Sequence, residues 1–126
     1  MIQAGTNVKI TDNSGGKFGR VFKVLGGSKR RYASLGDLVV LSVKIAEPRK
    51  TTKKKDIVYG VVVRTTKQVR RKDGSYISFD DNAVVLVDKV KKEPKAGRVF
   101  GPIPRELTEK GIDGFKKIAS LAPEVI

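Results

Sequence analysis

Basic side chains are the residues of this sequence whose number and spacing point to a chemistry. The 126 residues include 27 Lys and Arg but only 13 Asp and Glu, which gives a net charge of +14. Most of these cations lie in segments between apolar runs, where few acids stand beside them. Such clusters suit the binding of phosphate, so the composition predicts nucleic acid as the partner, with an anionic membrane surface second.

Four basic segments contain the candidate phosphate-binding residues. They are Lys17 and Arg20; Lys29, Arg30 and Arg31; Arg49, Lys50, Lys53, Lys54 and Lys55; and Arg64, Lys67, Arg70, Arg71 and Lys72. Arg70 and Arg71 lie near a predicted turn, where a planar guanidinium can bridge phosphate oxygens or stack on a base. The alternative is that these charges only keep the surface soluble. If they bind phosphates, binding should weaken steeply with salt, because each contact releases about one counterion.

The chain lacks the side chains that catalysis and metal binding most often use. It lacks both His and Cys, which removes the commonest general base, the commonest metal ligand and any disulfide. Asp80 and Asp81 are adjacent carboxylates, so a metal-dependent nuclease is one alternative hypothesis. Neighbouring strand residues point to opposite faces, however, and with Asn82 the pair favours a turn. The Gly-Gly-Ser segment 26–28 is not a Walker loop, and we predict no enzyme activity, no cofactor and no metal site.

The elements that must hold these basic segments are predicted to be β-strands, because their apolar runs alternate or are rich in β-branched Val. The predicted strands are Asn7–Thr11, Phe18–Leu25, Leu38–Ile45, Val61–Val63, Tyr76–Phe79, Ala83–Val87 and a short Val99–Phe100. In the longest run, Val39, Leu41, Val43 and Ile45 share one face by the two-residue period. Asp73-Gly74 predicts a tight hairpin turn that displays the neighbouring cations in solvent. Several short strands at close spacing predict an all-β fold, a small closed barrel.

Only the C-terminal part has a helical pattern. Arg105–Leu107 can form one turn after Pro104, and Asp113 can cap a helix over Gly114–Leu121 that Pro123 ends. This helix places Phe115 and Ile118 on one face, which we expect to pack against the barrel or a neighbouring protein. Without repeats or linkers, residues 1–126 are predicted to form one domain. The sequence also has no signal-peptide pattern at its start and no apolar segment that could span a bilayer.

The segment Gly60–Leu86 carries a specific pattern. Gly60-Val61-Val62-Val63 is followed after nine residues by Asp73-Gly74, after four by Phe79, after two by Asn82 and after two more by Val85-Leu86. Further motifs are Asp12-Asn13-Ser14-Gly15, Val24-Leu25-Gly26-Gly27-Ser28, Arg30-Arg31-Tyr32-Ala33, Phe100-Gly101-Pro102, Arg105-Glu106-Leu107 and Ser120-Leu121-Ala122-Pro123-Glu124-Val125. Over nearly its whole length the chain resembles the universal large-subunit ribosomal protein fourteen family, bacterial type.

The resemblance implies a five-stranded barrel with a protruding basic hairpin and short C-terminal helices. It implies a structural constituent of the ribosome that binds large-subunit rRNA and contacts small-subunit rRNA at an intersubunit bridge. It also implies contacts with large-subunit proteins three and nineteen, and with a ribosome-silencing factor near the position matched by Arg98. The corresponding protein-partner residues are Gly97, Arg98, Arg105, Phe115 and Lys117. The expected location is the ribosome of the cytoplasm or of an organelle.

The sequence departs from the family pattern at three places. Ala96-Gly97-Arg98 stands where Gly-Thr-Arg is usual, so a hydroxyl is missing beside Arg98. Lys54-Lys55-Asp56 lacks the Gly of the usual Lys-Lys-Gly-Asp turn, which therefore needs another geometry. About three additional residues lie between Leu107 and Phe115, where Gly111 and Gly114 indicate a longer loop.

The alternative function is a free-standing barrel that binds single-stranded nucleic acid. Such proteins display aromatic side chains on a strand face, where bases stack on them. This chain has no Trp, and its five Phe and three Tyr are scattered through the sequence. The sequence therefore favours the ribosomal function over the free-standing binder.

Overall fold

The Val-rich runs form the long strands of the computed structural model, which describes residues 2–26, 32–47, 55–89, 93–95, 97–109 and 113–126. Its strands are β1 (Ile2–Gln3), β2 (Asn7–Ile10), β3 (Gly16–Val24), β4 (Tyr32–Ala33), β5 (Leu38–Ala46), β6 (Ile57–Arg64), β7 (Val69–Arg70), β8 (Tyr76–Ile77), β9 (Ala83–Val87), β10 (Pro102–Ile103) and β11 (Glu124–Val125). The helices are α1 (Glu106–Glu109) and α2 (Asp113–Leu121).

Five of these strands close into a barrel in the order β2-β3-β5-β6-β9. Neighbouring strands are antiparallel, except that β9 pairs with β2 in parallel through Lys9↔Ala83 and Ile10↔Val84. Closure leaves none of these five strands with an unpaired edge. The predicted all-β fold and closed five-stranded barrel are confirmed.

The barrel interior is filled by alternate residues of all five strands, among them Val8, Val21, Leu41, Val62 and Leu86. Two glycines, Gly19 and Gly60, make room for the Leu41 side chain. A Cβ added at Gly19 would lie 2.5 Å from Leu41 Cδ1, and one added at Gly60 would lie 3.1 Å from Leu41 Cδ2. Leu41 therefore occupies the space that the two glycines leave open, as close packing in a narrow barrel requires.

A second core lies on the outside of the barrel, where β6 and β9 turn their other faces to the C-terminal part. Val61, Val63, Ala83, Val85 and Val87 contact a set of later residues there. That set is Val99, Ile103, Leu107, Phe115 and Ile118. All five residues of β9 are buried because both of its faces are covered. The expectation that α2 packs through Phe115 and Ile118 against the barrel is confirmed.

The structure corrects several element boundaries and one face. Ile45 was expected inside with Val43, but its side chain is 52% exposed. A bulge causes this, because Phe18 pairs with Ile45 and the next residue, Gly19, already pairs with Val43. The second hairpin strand ends at Ile77 instead of Phe79, and Val99 forms an isolated bridge with Asp12 where a Val99–Phe100 strand was predicted. The parallel pair β10–β11 was not predicted.

Candidate nucleic-acid interface

The basic hairpin, residues 65–79, contains β7, the turn at Asp73-Gly74 and β8. Arg70 pairs with Tyr76, and Gly74 has a φ of +90°, a conformation that glycine adopts at no steric cost. Ser75 donates its backbone N–H and its hydroxyl to Asp73 Oδ1, at 3.0 and 2.6 Å. These hydrogen bonds, with smaller effects of the Arg105 and Arg71 charges, lower the pKa of Asp73. The turn predicted from Asp-Gly is confirmed.

An ion pair holds this hairpin against α1. Arg71 Nε lies 2.7 Å from Glu106 Oε1, and the Arg71 side chain is only 10% exposed. This approach is a charge contact and not an aligned hydrogen bond, while Nη2 donates to Glu106 Oε2 at 3.4 Å. Arg105 and Asp73 form a second, exposed pair at 3.5 Å. Arg71 therefore contributes to docking the hairpin and is not displayed in solvent, contrary to the sequence-based expectation.

Arg64 was also expected among the solvent-exposed cations, but the structure buries it, with 6% of the residue exposed. Its Nε lies 3.0 Å from Asp81 Oδ1. Its Nη2 donates to Thr11 Oγ1 at 3.0 Å and its Nη1 donates to the Phe100 carbonyl at 3.2 Å. A Cβ at Gly101 would overlap the guanidinium, so only glycine leaves room for it. Because a buried charge needs partners, Arg64 joins the residue that follows β2, the 80–82 turn and the Phe100 segment.

Asp81 thus has a structural partner, which accounts for one carboxylate of the hypothetical metal pair. Within the described parts of the chain, no group of three or more His, Cys, Asp or Glu residues is arranged to hold a metal ion. In the same parts, no helix is long and apolar enough to cross a membrane.

The remaining described cations of the predicted set lie on the surface. On the basic hairpin these are Lys67, Arg70 and Lys72, and on the barrel they are Lys17, Arg20 and Lys55. Lys17 approaches Glu47 at 4.0 Å. Lys55 has a φ of +73°, so the turn without the usual glycine places a lysine in the left-handed conformation. The predicted Lys29, Arg30, Arg31, Arg49, Lys50, Lys53 and Lys54 lie outside the described residues.

A groove of about 600 Å³ separates the basic hairpin from the Ser34–Leu35 loop and the start of α1. Arg70, Lys72 and Arg105 line it together with Asp73 and Glu106. The groove is therefore mixed in charge, and the exposed cations outnumber the acids at its hairpin side.

The predicted protein-partner residues fall into two groups. Gly97, Arg98, Arg105 and Lys117 are exposed, whereas Phe115 is fully buried in the second core. The structure thus corrects the placement of Phe115, whose ring fills the space between α2 and the barrel. Arg98 stacks on the Phe100 ring with its Cζ 5.5 Å from the centroid, and Lys117 Nζ lies 2.6 Å from Glu93 Oε1.

The comparison with protein families agrees with this architecture. A model described as ribosomal protein L14p/L23e matches residues 1–126. The chain belongs to the L14p/L23e family of ribosomal proteins. Members of the L14p/L23e family are structural constituents of the ribosome that bind rRNA, and the family is not enzymatic. Membership places this L14p/L23e chain in the large ribosomal subunit.

Two surface aromatic residues of this L14p/L23e protein were missed in the sequence. Phe18 and Phe22 lie outside the barrel on β3 and are 46% and 49% exposed. Strict alternation places Phe18, Arg20 and Phe22 on the face opposite Val21, so this signal could have found both rings. The bulges in β3 also expose Lys17 and Lys23, and no local sequence signal marks these bulges.

Proposed function

We propose that this protein binds large-subunit rRNA on the side of the subunit that meets the small subunit, and contacts small-subunit rRNA there in an intersubunit bridge. The observation that carries the proposal is the set of exposed cations on two separate parts of the fold. Arg20 and Lys55 extend from the barrel, and Arg70 and Lys72 extend from the basic hairpin. Two basic regions on one rigid protein suit two RNA segments, because each can neutralise its own phosphates.

Phosphate neutralisation supplies the affinity in this proposal, and shape supplies the specificity. The major groove of an A-form helix is too deep and narrow for side chains to read, so proteins recognise RNA helices mainly through their backbones. A closed barrel constrains the backbone positions from which its surface cations extend, and the Arg71–Glu106 ion pair holds the basic hairpin against α1. The spacing of the cations can then select an RNA whose backbone follows the same path.

The proposed protein partners are large-subunit proteins three and nineteen and a ribosome-silencing factor, all implied by the family resemblance. Exposed Arg98, Arg105 and Lys117 support a surface for such contacts. Gly97 is also exposed, and it offers a backbone amide but no hydroxyl beside Arg98. A silencing factor that binds here would rely on Arg98, whose guanidinium the Phe100 ring already supports. The bacterial type of the protein stays a prediction.

Sedimentation of a tagged copy from its native cells tests the proposed location. After a high-salt wash, we expect the protein to comigrate with the isolated large subunit at low Mg²⁺ and with the assembled ribosome at high Mg²⁺. A protein that stays at the top of the gradient in both conditions would contradict ribosomal residence and favour the free-standing nucleic-acid binder.

Ultraviolet crosslinking of the same fractions tests the bridge separately. We expect crosslinks to large-subunit rRNA in both conditions, and crosslinks to small-subunit rRNA only at high Mg²⁺. Crosslinks to large-subunit rRNA alone in the assembled ribosome would contradict the bridge and leave large-subunit binding intact.

A further inference from the structure

The outer side of the barrel is covered on one part and open on another. The C-terminal part covers β6 and β9, whose outward Val63 and Val85 are fully buried. In the described part of the chain, no segment covers the outward residues of β3 in this way. Phe18 and Phe22 are 46% and 49% exposed, and Arg20 is exposed between them. We call Phe18, Arg20 and Phe22 the aromatic face.

Phe18, Arg20 and Phe22 alternate along β3 with the buried Gly19 and Val21, and bulges add neighbouring cations to their face. The register shifts between Gly16 and Phe18, between Phe18 and Gly19, and between Val21 and Lys23. The first and third shifts insert an extra residue into β3, so that Lys17 is exposed beside Phe18 and Lys23 beside Phe22, and the second inserts one into β5. Every aromatic ring of the face therefore has a cation next to it in the chain.

Neighbouring strands extend the same surface. Phe18 pairs with Lys9 on β2 and with Ile45 on β5, and Arg20 pairs with Asn7 and Ser42. Phe18 also lines a groove of about 410 Å³ that contains Lys9, Lys17 and Phe100. The Phe100 ring is 45% exposed. The groove thus offers two partly exposed rings and two amines to one ligand, while the buried Asp12 and the exposed Glu47, 4.0 Å from Lys17, also line it.

The charges indicate which class of partner covers this face. Neither β2 nor β3 contains an acid, while Lys9, Lys17, Arg20 and Lys23 are all exposed. Protein–protein interfaces are depleted in Lys, whereas proteins that bind single-stranded nucleic acid combine aromatic platforms with a basic groove. A regular RNA duplex keeps its bases stacked inside, so exposed rings gain contacts only from unpaired nucleotides.

We propose that the aromatic face binds an unpaired segment of rRNA, with bases stacked on Phe18 and Phe22 and a phosphate held by Arg20. The two Phe residues are four apart on one strand, about 13 Å at the usual rise, which leaves room for a backbone phosphate between two bases. This inference rests on the proposed rRNA-binding function and names the form of RNA that this part of the protein recognises.

Binding of oligouridylate to the full chain tests the proposal. The probes are a 12-nucleotide uridine RNA and a 12-base-pair RNA duplex, measured by filter binding at one salt concentration. Leu keeps the apolar character of Phe and removes the ring, so we expect Phe18→Leu with Phe22→Leu to raise the Kd for the single strand at least fivefold. A stack of about 1–3 kcal/mol per base corresponds to roughly five- to 150-fold. The duplex Kd should change less than twofold.

Matched variants separate stacking from other effects. Phe18→Tyr with Phe22→Tyr keeps both rings, and we expect its single-strand Kd to stay within twofold of the unaltered protein. The Leu variant should also keep the slope of log K against log salt, because no phosphate contact is removed. Because both rings are half-exposed, circular dichroism and urea unfolding should be nearly unchanged in either variant.

The proposal is overturned if the Leu variant binds oligouridylate as tightly as the unaltered protein, or loses duplex binding to the same degree. A second measurement needs no variant. A 4-thiouridine RNA crosslinked to the unaltered chain should attach within residues 17–23, and attachment only elsewhere would overturn the proposal as well. The proposed function has its own outcome, because ribosomal sedimentation of the tagged chain is independent of where oligouridylate binds.

Discussion

Arg64 is a charged side chain enclosed by the fold, and segments far apart in the sequence supply its partners. Thr11 is 53 residues away and Phe100 is 36 residues away. In the sequence, Arg64 directly follows a Val run and precedes a basic segment, so it resembled one more surface cation. The sequence could not reveal its role, because that depends on barrel closure bringing Thr11, Asp81 and Phe100 together.

Removal of Arg64 should therefore destabilise the protein. We expect Arg64→Ala to lower the free energy of unfolding by about 2–4 kcal/mol, because Thr11 and the Phe100 carbonyl lose a donor and Asp81 loses its ion pair. The loss stays below that of a fully buried pair, since the Asp81 side chain is 36% exposed and can hydrate. Urea unfolding followed by circular dichroism measures the change. Arg70→Ala removes an exposed cation and should shift the value by less than about 0.5 kcal/mol; equal effects of the two variants would contradict the assignment.

Asp12 is the second residue with an environment that local sequence did not indicate. It is 4% exposed, and its Oδ1 accepts two hydrogen bonds from Ser14 while Oδ2 accepts one from the Leu86 N–H at 3.0 Å. Burial raises the pKa of Asp12, and the hydrogen bonds and the Lys95 charge only partly oppose this effect. Asp12 thus combines a local turn with Ser14 and a buried contact to β9.

The raised pKa of Asp12 has a defined consequence for stability. In the pH range from its ordinary value of 3.8 up to the raised value, the folded state binds more protons than the unfolded state. The Asp12 contribution to stability is therefore largest below this range and decreases as pH rises through it. We expect the difference in unfolding free energy between the unaltered protein and Asp12→Asn to decrease from pH 4 upward and then to level off. Urea unfolding at several pH values measures it, and a difference that increases with pH would show the opposite sign.

At the scale of elements, the sequence predicted what short-range patterns determine. The Val-rich runs became barrel strands, and Asp73-Gly74 became a turn because its chemistry is local. The bulges were not predictable, since register depends on how β3 fits β5 and on the space around Leu41. For that reason the sequence placed Ile45 inside the barrel. Phe18 and Phe22 follow simple alternation opposite Val21, and the bulges turned Lys17 and Lys23 outward beside them, so the aromatic face with its cations was missed.

The basic hairpin depends on α1 for its position. Its two strands have only two residue pairs, and a short isolated hairpin is at best marginally stable in water. Arg71–Glu106 supplies a largely buried anchor, with side chains 10% and 22% exposed. We expect Glu106→Gln to loosen the hairpin and leave the barrel intact, because the charge is lost while the side-chain shape is kept.

Hydrogen exchange measures this loosening at the Arg71 amide, which donates to the Ser75 carbonyl at 2.8 Å. An anchor of about 1–2 kcal/mol predicts exchange roughly 5–30 times faster in Glu106→Gln, with unchanged exchange at barrel amides. Lys117→Ala removes an exposed ion pair elsewhere and should leave the Arg71 amide unaffected. If the Arg71 amide exchanges at the same rate in Glu106→Gln as in the unaltered protein, the burial of Ile77 and the turn are sufficient to hold the hairpin.

At the scale of the whole molecule, the cations behind the net charge of +14 fall into two groups. Some form ion pairs and hydrogen bonds that hold the fold together, and others are exposed to solvent. Arg64 and Arg71 belong to the first group, and Arg70 and Lys72 to the second. Composition alone cannot make this division, because all four residues lie within one basic segment. Only the exposed group can contribute to the salt dependence of RNA binding, since a phosphate must reach the cation to release counterions.

The salt dependence of rRNA binding tests this division. For a large-subunit rRNA fragment between about 50 and 200 mM salt, each phosphate contact contributes about 0.7–0.9 to the negative slope of log K against log salt. We expect Arg70→Ala with Lys72→Ala to reduce the magnitude of the slope by about 1.4–1.8. Lys116→Ala with Lys117→Ala removes the same charge from α2, outside the proposed RNA surface, and should change the slope by less than about 0.5. Equal reductions in the two double variants would mean that the RNA responds to total charge, and the basic hairpin would then have no specific part in binding.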